Sequence, residues 1–328
     1  MKKIKLGIRY PHGACSYYRS MGVFSKLHKL DANIDSTLID KIDWHFIADA
    51  DILYLERPQD RHFYNACKIA KDFNVKVWVD YDDDLFNIPS WNPAKEYYSK
   101  PEVKKEIKKC LKIADVVTVT TPALKRLYSK YNKNVQIVEN AFNDYNYRLP
   151  NKVSKNKIVN WRGSNTHRGD LILYSHQLAA LSEKHKEKWG WSFIGSDIWY
   201  VTEYMKSVFQ TDEMSITKYW KYIKRVAPSI QISPLMLNQF NTGKSNISWI
   251  EGVYSRACHL GPHLAEFRKP GIETYKTPDE FGSKLDILIN DEKLREQNFK
   301  ASKEYIIDNL MLSNVNKKRI KIIEELMA

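Results

Sequence analysis

Short apolar runs alternate with amphipathic stretches along almost the whole chain, and no other feature restricts the fold as much. This is the pattern of parallel β-strands joined by crossover helices. Apolar runs at residues 5–10, 36–39, 52–55, 75–80, 116–120 and 135–139 read as strands. Helical spacing fills the gaps, at 21–30 with Met21, Phe24, Leu27 and Leu30 on one face, and again at 61–73 and 101–113. A turn-rich loop over 11–16 follows the first strand. Residues 148–157 are polar, basic and nearly free of apolar side chains, so they read as an interdomain linker. A second alternation starts there, with strands at 158–161, 191–194 and 230–234. Its helices fall at 171–184, 218–226, from Ser245, and at 278–289, 291–310 and 313–327. A chain of 328 residues has room for two ordinary cores, so the expected fold is α/β with two parallel-sheet domains, 1–150 and 151–310.

Lys and Arg outnumber Asp and Glu by 52 to 39, a formal charge of +13 that favours polyanionic partners such as nucleotide diphosphates, nucleic acid or anionic membrane. No apolar run reaches the length of a membrane span, and the N-terminal run is too short for a signal peptide, so a soluble, cytoplasmic protein is expected. The cysteines Cys15, Cys67, Cys110 and Cys258 are scattered without a CxxC pair. That fits reduced thiols better than a disulfide framework or a zinc knuckle.

Open parallel sheets bind ligands beyond the carboxyl ends of their strands, which directs attention to four segments. Asn160-Trp161-Arg162-Gly163-Ser164-Asn165-Thr166-His167 runs from a strand into a helix start, where backbone N–H groups and Arg162 suit a phosphate. Phe240-Asn241-Thr242-Gly243-Lys244-Ser245-Asn246 opens another helix, with Lys244 at its positive end and Ser245 as the expected N-cap. Glu251 projects from the apolar body of that helix. The Gly-Lys-Ser triplet is not a P-loop, because Asn238 stands where the first glycine would be needed. The third segment, Asp80-Tyr81-Asp82-Asp83-Asp84, packs four carboxylates into five residues and demands compensating partners. The fourth is the loop from His12 through Cys15, Tyr17, Tyr18 and Arg19, with Asn140 at the same edge. Each segment also has a plain reading, as a capped turn or a solvated loop.

Taken in order, Asp80 to Leu85, Ala114 to Leu124, Val138 to Ala141, Gly163-Ser164 with Thr166-His167, and Lys244-Ser245 with Trp249-Ile250-Glu251 resemble the retaining glycosyltransferases of the GT-B fold, of the family-four-like kind found in bacteria and phages. The resemblance spans most of the chain. It implies two Rossmann-like domains facing a cleft, with a last helix, 311–328, crossing back onto the first domain. It also implies a nucleotide-sugar donor, UDP-linked by preference, held by the second domain, and retention without a required cofactor or divalent metal. By similarity, Arg162 and Lys244 act on the diphosphate, with Gly163, Ser164, Thr166, His167, Ser245 and Asn246 around the donor and Glu251 on the ribose. Asp80 or Asp82 stands beside the donor sugar. Tyr17, Tyr18, Arg19, Asp83 and Asn140 face the acceptor, either a hydroxymethylated base in duplex DNA or a lipid-linked or cell-surface glycan. The chain departs from the family at Gly243, where relatives carry a glutamate eight residues before the ribose-binding one, and in Tyr254 to His263.

Two other readings remain open on sequence. Asp80-Tyr81-Asp82 could be a metal-binding DxD of single-domain glycosyltransferases. Lys104, Lys105, Lys108, Lys109 and Lys112, with Lys317, Lys318, Arg319 and Lys321, could instead serve a non-catalytic polyanion-binding protein.

Overall fold

The computed structural model describes residues 4–10, 13–39 and 41–328; Pro11 and His12, part of the first predicted loop, lie outside the described residues. Strands β1 (Ile4–Arg9), β2 (Ile34–Ile39), β3 (Ile52–Glu56), β4 (Lys76–Tyr81), β5 (Val116–Val119) and β6 (Val135–Ile137) form a parallel sheet in the order β2-β1-β3-β4-β5-β6. The second sheet is also parallel. It contains β7 (Ile158–Gly163), β8 (Gly190–Gly195), β9 (Val208–Thr211), β10 (Ile230–Ile232), β11 (Cys258–Pro262) and β12 (Ile272–Tyr275), in the order β12-β11-β10-β7-β8-β9. Both sheets turn back to the other side of their first strand, after β2 in one and after β9 in the other, as doubly wound α/β sheets do. β3 and β5 are buried at every position because helices cover both faces, which is why they read as continuous apolar runs.

Local chemistry fixes the helices. Asp60 accepts from the backbone N–H of His62 and Phe63 to cap Arg61–Asp72, which buries Ala66, Cys67 and Ala70 against the sheet. Pro101 opens Pro101–Ile113, and Thr277 caps Pro278–Asn290. The helix expected at 21–30 is instead a single turn, Met21–Phe24, and a 3-10 turn at Leu27–Lys29, preceded by a further short helix, Ala14–Arg19. The turn at Ser20 separates the two short helices and brings Gly22 so close that a Cβ on it would lie 2.1 Å from the Tyr17 carbonyl oxygen. The helix expected at 171–184 is likewise two, Arg168–Leu173 and Ser175–Lys184, broken at Tyr174, whose phenol donates 2.9 Å to the Leu235 carbonyl.

The first domain's core continues into the last helix, Leu312–Met327: Leu312, Val315, Ile322, Ile323 and Leu326 pack with Leu6, Ile8, Val23 and Phe24. The chain therefore passes between the domains twice. The two passages touch, since Phe142 N–H donates 2.8 Å to Leu310 O and Leu312 N–H donates 2.8 Å to Phe142 O. The linker is packed, with Tyr147 stacked on Trp220 at 4.7 Å and Ser154 bonded to the carbonyls of Arg256 and Ala227. All four cysteines are free thiols, and among the described residues no helix is long and apolar enough to cross a membrane.

A candidate active site in the interdomain cleft

The carboxyl ends of the two sheets face each other across a cavity of about 590 Å³, lined by both domains. On the second-domain side, Arg162 sits at the end of β7 with Nε 2.5 Å from Glu251 Oε2. The two form a close ion pair, and Nη2 of Arg162 is buried without an acceptor in the protein. Glu251 is 3% exposed. Tyr219 OH donates 2.9 Å to its Oε2, and Tyr18 OH, from the first domain, donates to its Oε1. Burial, followed by the charge of Glu251, pushes both phenols well above their ordinary range.

Ser164 and Thr166 share a hydrogen bond of 2.8 Å beyond β7. His167 Nδ1 lies 3.1 Å from Asp170 Oδ2, while Asp170 Oδ1 accepts from Met236 N–H and from the Asn241 amide at 3.0 and 2.8 Å. Asp170 thus fixes the loop that delivers Lys244. The helix that follows runs Ile247–Tyr254, with Asn246 rather than Ser245 at its N-cap position. Ser245 Oγ instead accepts from Asn140 across the cleft at 2.9 Å.

In the first domain each carboxylate of the acidic segment has its own partner. Asp80 forms a two-bond pair with Arg19, at 3.0 and 2.6 Å, and accepts from Thr118 Oγ1 at 2.5 Å. Asp82 accepts from Arg57 Nε. Asp83 Oδ2 accepts from Lys244 Nζ at 2.9 Å. Asp84 caps the next turn through the N–H groups of Phe86 and Asn87. Burial opposes ionisation of Asp82, yet Arg57 holds its carboxyl below the usual range. Behind them Glu56, which accepts from Ser20 Oγ, is pushed up to about 8 by burial and by Asp82. Burial also pushes the Cys15 thiol, on the cavity wall, up to about 12. Arg57 adopts a left-handed φ of 48°, uncommon for a side chain of its size and typical of residues held in place at a site.

Of the residues singled out in the sequence, Asp82, Asp83, Arg162, Gly163, Ser164, Thr166, His167, Lys244, Ser245, Glu251, Tyr18 and Asn140 line this cavity. Four do not. Asp80 and Arg19 are each 1% exposed and neutralise one another inside the first domain, so neither contacts a ligand in this arrangement, and the DxD reading loses its first carboxylate. Tyr17 packs against Trp220 in an aromatic cluster, and Asn246 faces a separate pocket on the other side of the interdomain seam. Cys15, in the loop expected to face the cleft, also lines it. Sequence reasoning missed Arg57, Tyr219 and Glu56. Among these, only the placement of Arg57 right after a buried strand could have marked it.

Gly243, the departure from the family pattern, lies where a Cβ would be 2.8 Å from Leu124 and 3.6 Å from Asp84 of the first domain. A glutamate there would have to displace the end of the Leu124 side chain. The basic runs are also broken up. Lys109 pairs with Glu106, Lys318 pairs with Glu139, and Arg319 is buried, its guanidinium shifted down to about 10 by burial and by the nearby Arg19. Among the described residues no group of His, Cys, Asp and Glu is arranged to hold a metal ion.

No family model matches the chain, and no curated protein sequence matches it. Solved structures do. A glycosyltransferase from Rickettsia africae ESF-5 superposes with a TM-score of 0.65 at 15% identity, over 100% of this chain and 99% of that one. An alpha-glucosyltransferase in complex with UDP and a 13-mer DNA gives 0.66 at 12% identity, over 99% and 100%. A UDP-forming trehalose-phosphate synthase from Burkholderia xenovorans gives 0.66 at 9%, over 99% and 100%. At these identities the likeness carries the fold: two facing Rossmann-like domains in the GT-B arrangement, with the last helix returned to the first.

Proposed function

We propose that this chain transfers a sugar from a nucleotide-diphosphate sugar, with UDP as the favoured nucleotide, to an acceptor hydroxyl, with retention. The observation that carries the reading is Arg162. Paired with Glu251 through Nε, it still has a buried donor, Nη2, without an acceptor, at the end of a central strand and in the same cavity as Lys244. A diphosphate supplies the acceptor this group lacks. In the transfer, the bond from the anomeric carbon to the diphosphate breaks as the bond to the acceptor oxygen forms on the same face. The acceptor's proton passes to the departing phosphate oxygen, so no protein nucleophile is required. Arg162 and Lys244 stabilise the charge that develops on the leaving group, and the reaction proceeds in the presence of chelator.

Glu251 accepts from the ribose hydroxyls. Both its oxygens are occupied here, one by Tyr18 of the opposite domain, so the nucleoside replaces the Tyr18 contact. Asp82, Asp83 and Asn140 lie on the acceptor side. The acceptor is either a hydroxymethylated base in duplex DNA or a lipid-linked or cell-surface glycan.

The test is thermal shift with UDP, GDP and ADP. Saturation at a hundred times the dissociation constant stabilises by about 2.7 kcal/mol. One nucleotide is expected to shift the wild type and to lose most of that shift in Glu251→Ala and Lys244→Ala. Turnover should fall by roughly two to three orders of magnitude in Arg162→Ala or Lys244→Ala, as for loss of one preorganised donor. If no nucleotide stabilises the protein, the reading is wrong.

A further inference from the structure

Beside the cleft, and separated from it by a single layer of chain, lies a second pocket of about 340 Å³ between the domains. Trp91, Asn165 and Arg168 line it, while their neighbours Asn92, Ser164, Thr166 and His167 line the main cavity, so the two spaces share a wall. Its other wall is aromatic. Trp199 is 58% exposed and stands nearly perpendicular to Tyr200, with ring centroids 6.2 Å apart at 80°. The guanidinium of Arg168 lies 4.9 Å over the Tyr200 ring. Trp91 is wedged against Gly169, where a Cβ would come within 2.5 Å of the indole.

Two buried polar atoms of the lining residues, Trp91 Nε1 and Tyr200 Oη, have no hydrogen-bond partner in the protein. Buried donors of this kind are rare in native proteins unless a ligand or water completes them. Asp197, also on the pocket, accepts from Trp199 N–H and the Gln210 amide through Oδ1 alone, at 3.1 and 3.0 Å, leaving Oδ2 for a further donor.

We propose that this pocket is an acceptor subsite that holds one sugar residue of a glycan. The word acceptor rests on the transferase reading above; the recognition of sugar does not. A pyranose ring has an apolar C–H face and a rim of hydroxyls that both donate and accept. Indole and phenol faces flanked by Arg168, Asp197 and Asn165 match both. The volume lies at the small end of ligand pockets, roughly 300–1,000 Å³, which suits a monosaccharide unit. Nucleic acid fits less well. The lining offers one cation, Arg168, and a phosphodiester would meet the carboxylate of Asp197 beside it.

The experiment is a tryptophan-fluorescence titration of the full chain with maltotriose, chitotriose and mannotriose, and separately with a single-stranded dT oligomer, alongside UDP thermal shift. One trisaccharide is expected to bind, and Trp199→Ala, at an exposed position, to weaken it about tenfold while leaving the UDP shift unchanged. Tyr200→Phe should weaken it as well. Failure of all three sugars, binding indifferent to both substitutions, or binding of the dT oligomer in their place overturns the proposal. A UDP response without sugar binding sinks the subsite alone. Sugar binding without any nucleotide response sinks the transferase reading alone and leaves a glycan site.

Discussion

Asp83 of the first domain occupies the ammonium of Lys244, the cation assigned to the leaving diphosphate. A donor entering the cleft competes with that carboxylate, so part of its binding energy is spent on separating a pair that is 18% and 17% exposed on its two sides. A partly exposed pair of this type contributes about 1 kcal/mol, or roughly fivefold in affinity. Asp83→Asn should therefore tighten nucleotide binding by about that factor, read by calorimetric titration. Weaker binding in the variant would show that Asp83 helps hold the donor instead. Glu56 sets a pH dependence of a different kind. Its folded pKa of about 8 lies above the ordinary 4.5, so the folded protein binds more protons than the unfolded chain between those values. Stability consequently falls as pH rises from about 4.5 to 8 and levels off above. Glu56→Gln, which mimics the protonated side chain, should flatten the melting temperature across that window. An unchanged slope would mean that Glu56 is ionised throughout. Glu251, Arg162 and Lys244 were legible in the sequence because a lone charge after an apolar run, or inside one, is conspicuous. Arg57 and Tyr219 were not, since their importance comes from the partners that tertiary packing brings to them.

Among the elements, the strands plainest in the sequence are the central ones buried on both faces, such as β3 and β5, where valine, isoleucine and leucine run together. β11 escaped because Cys-His-Leu-Gly-Pro has the composition of a turn, yet all five positions are buried. His259 within it stacks on Phe267, and burial drives its imidazole down to about 3, so it is carried as a neutral, flat core residue. β9 escaped for the opposite reason: it is an edge strand with Phe209 57% exposed, and its short polar–apolar mix carries no periodic signal. The turn after β8 is the element most constrained by a single residue. Gly195 has a φ of +124°, and a Cβ there would lie 1.8 Å from the Gly163 carbonyl oxygen, on the neighbouring strand and at the cavity wall. Gly195→Ala should destabilise by about 1–3 kcal/mol through backbone strain, measured by denaturant unfolding, and should displace Gly163 and Arg162 with it. Full stability in that variant would contradict the register of β7 and β8.

For the whole molecule, the two-domain plan could be read from the alternation and the linker, but the way the domains meet could not. The contacts across the cleft join residues far apart in sequence: Tyr18 with Glu251, Asn140 with Ser245, Asp83 with Lys244, and Trp91 with Gly169. None has a local pattern to announce it. The two chain passages between the domains, by contrast, meet at Phe142, Leu310 and Leu312 in one hydrogen-bonded knot. A door with both leaves of its hinge on one pin can swing without stretching anything. Rotation of one domain on the other about this knot would disturb few backbone bonds, and the four pairs across the cleft named above would part or close with the swing. On the transferase reading proposed above, entry of donor and release of product would then be one motion, its stopping point set by side chains and its axis by the backbone.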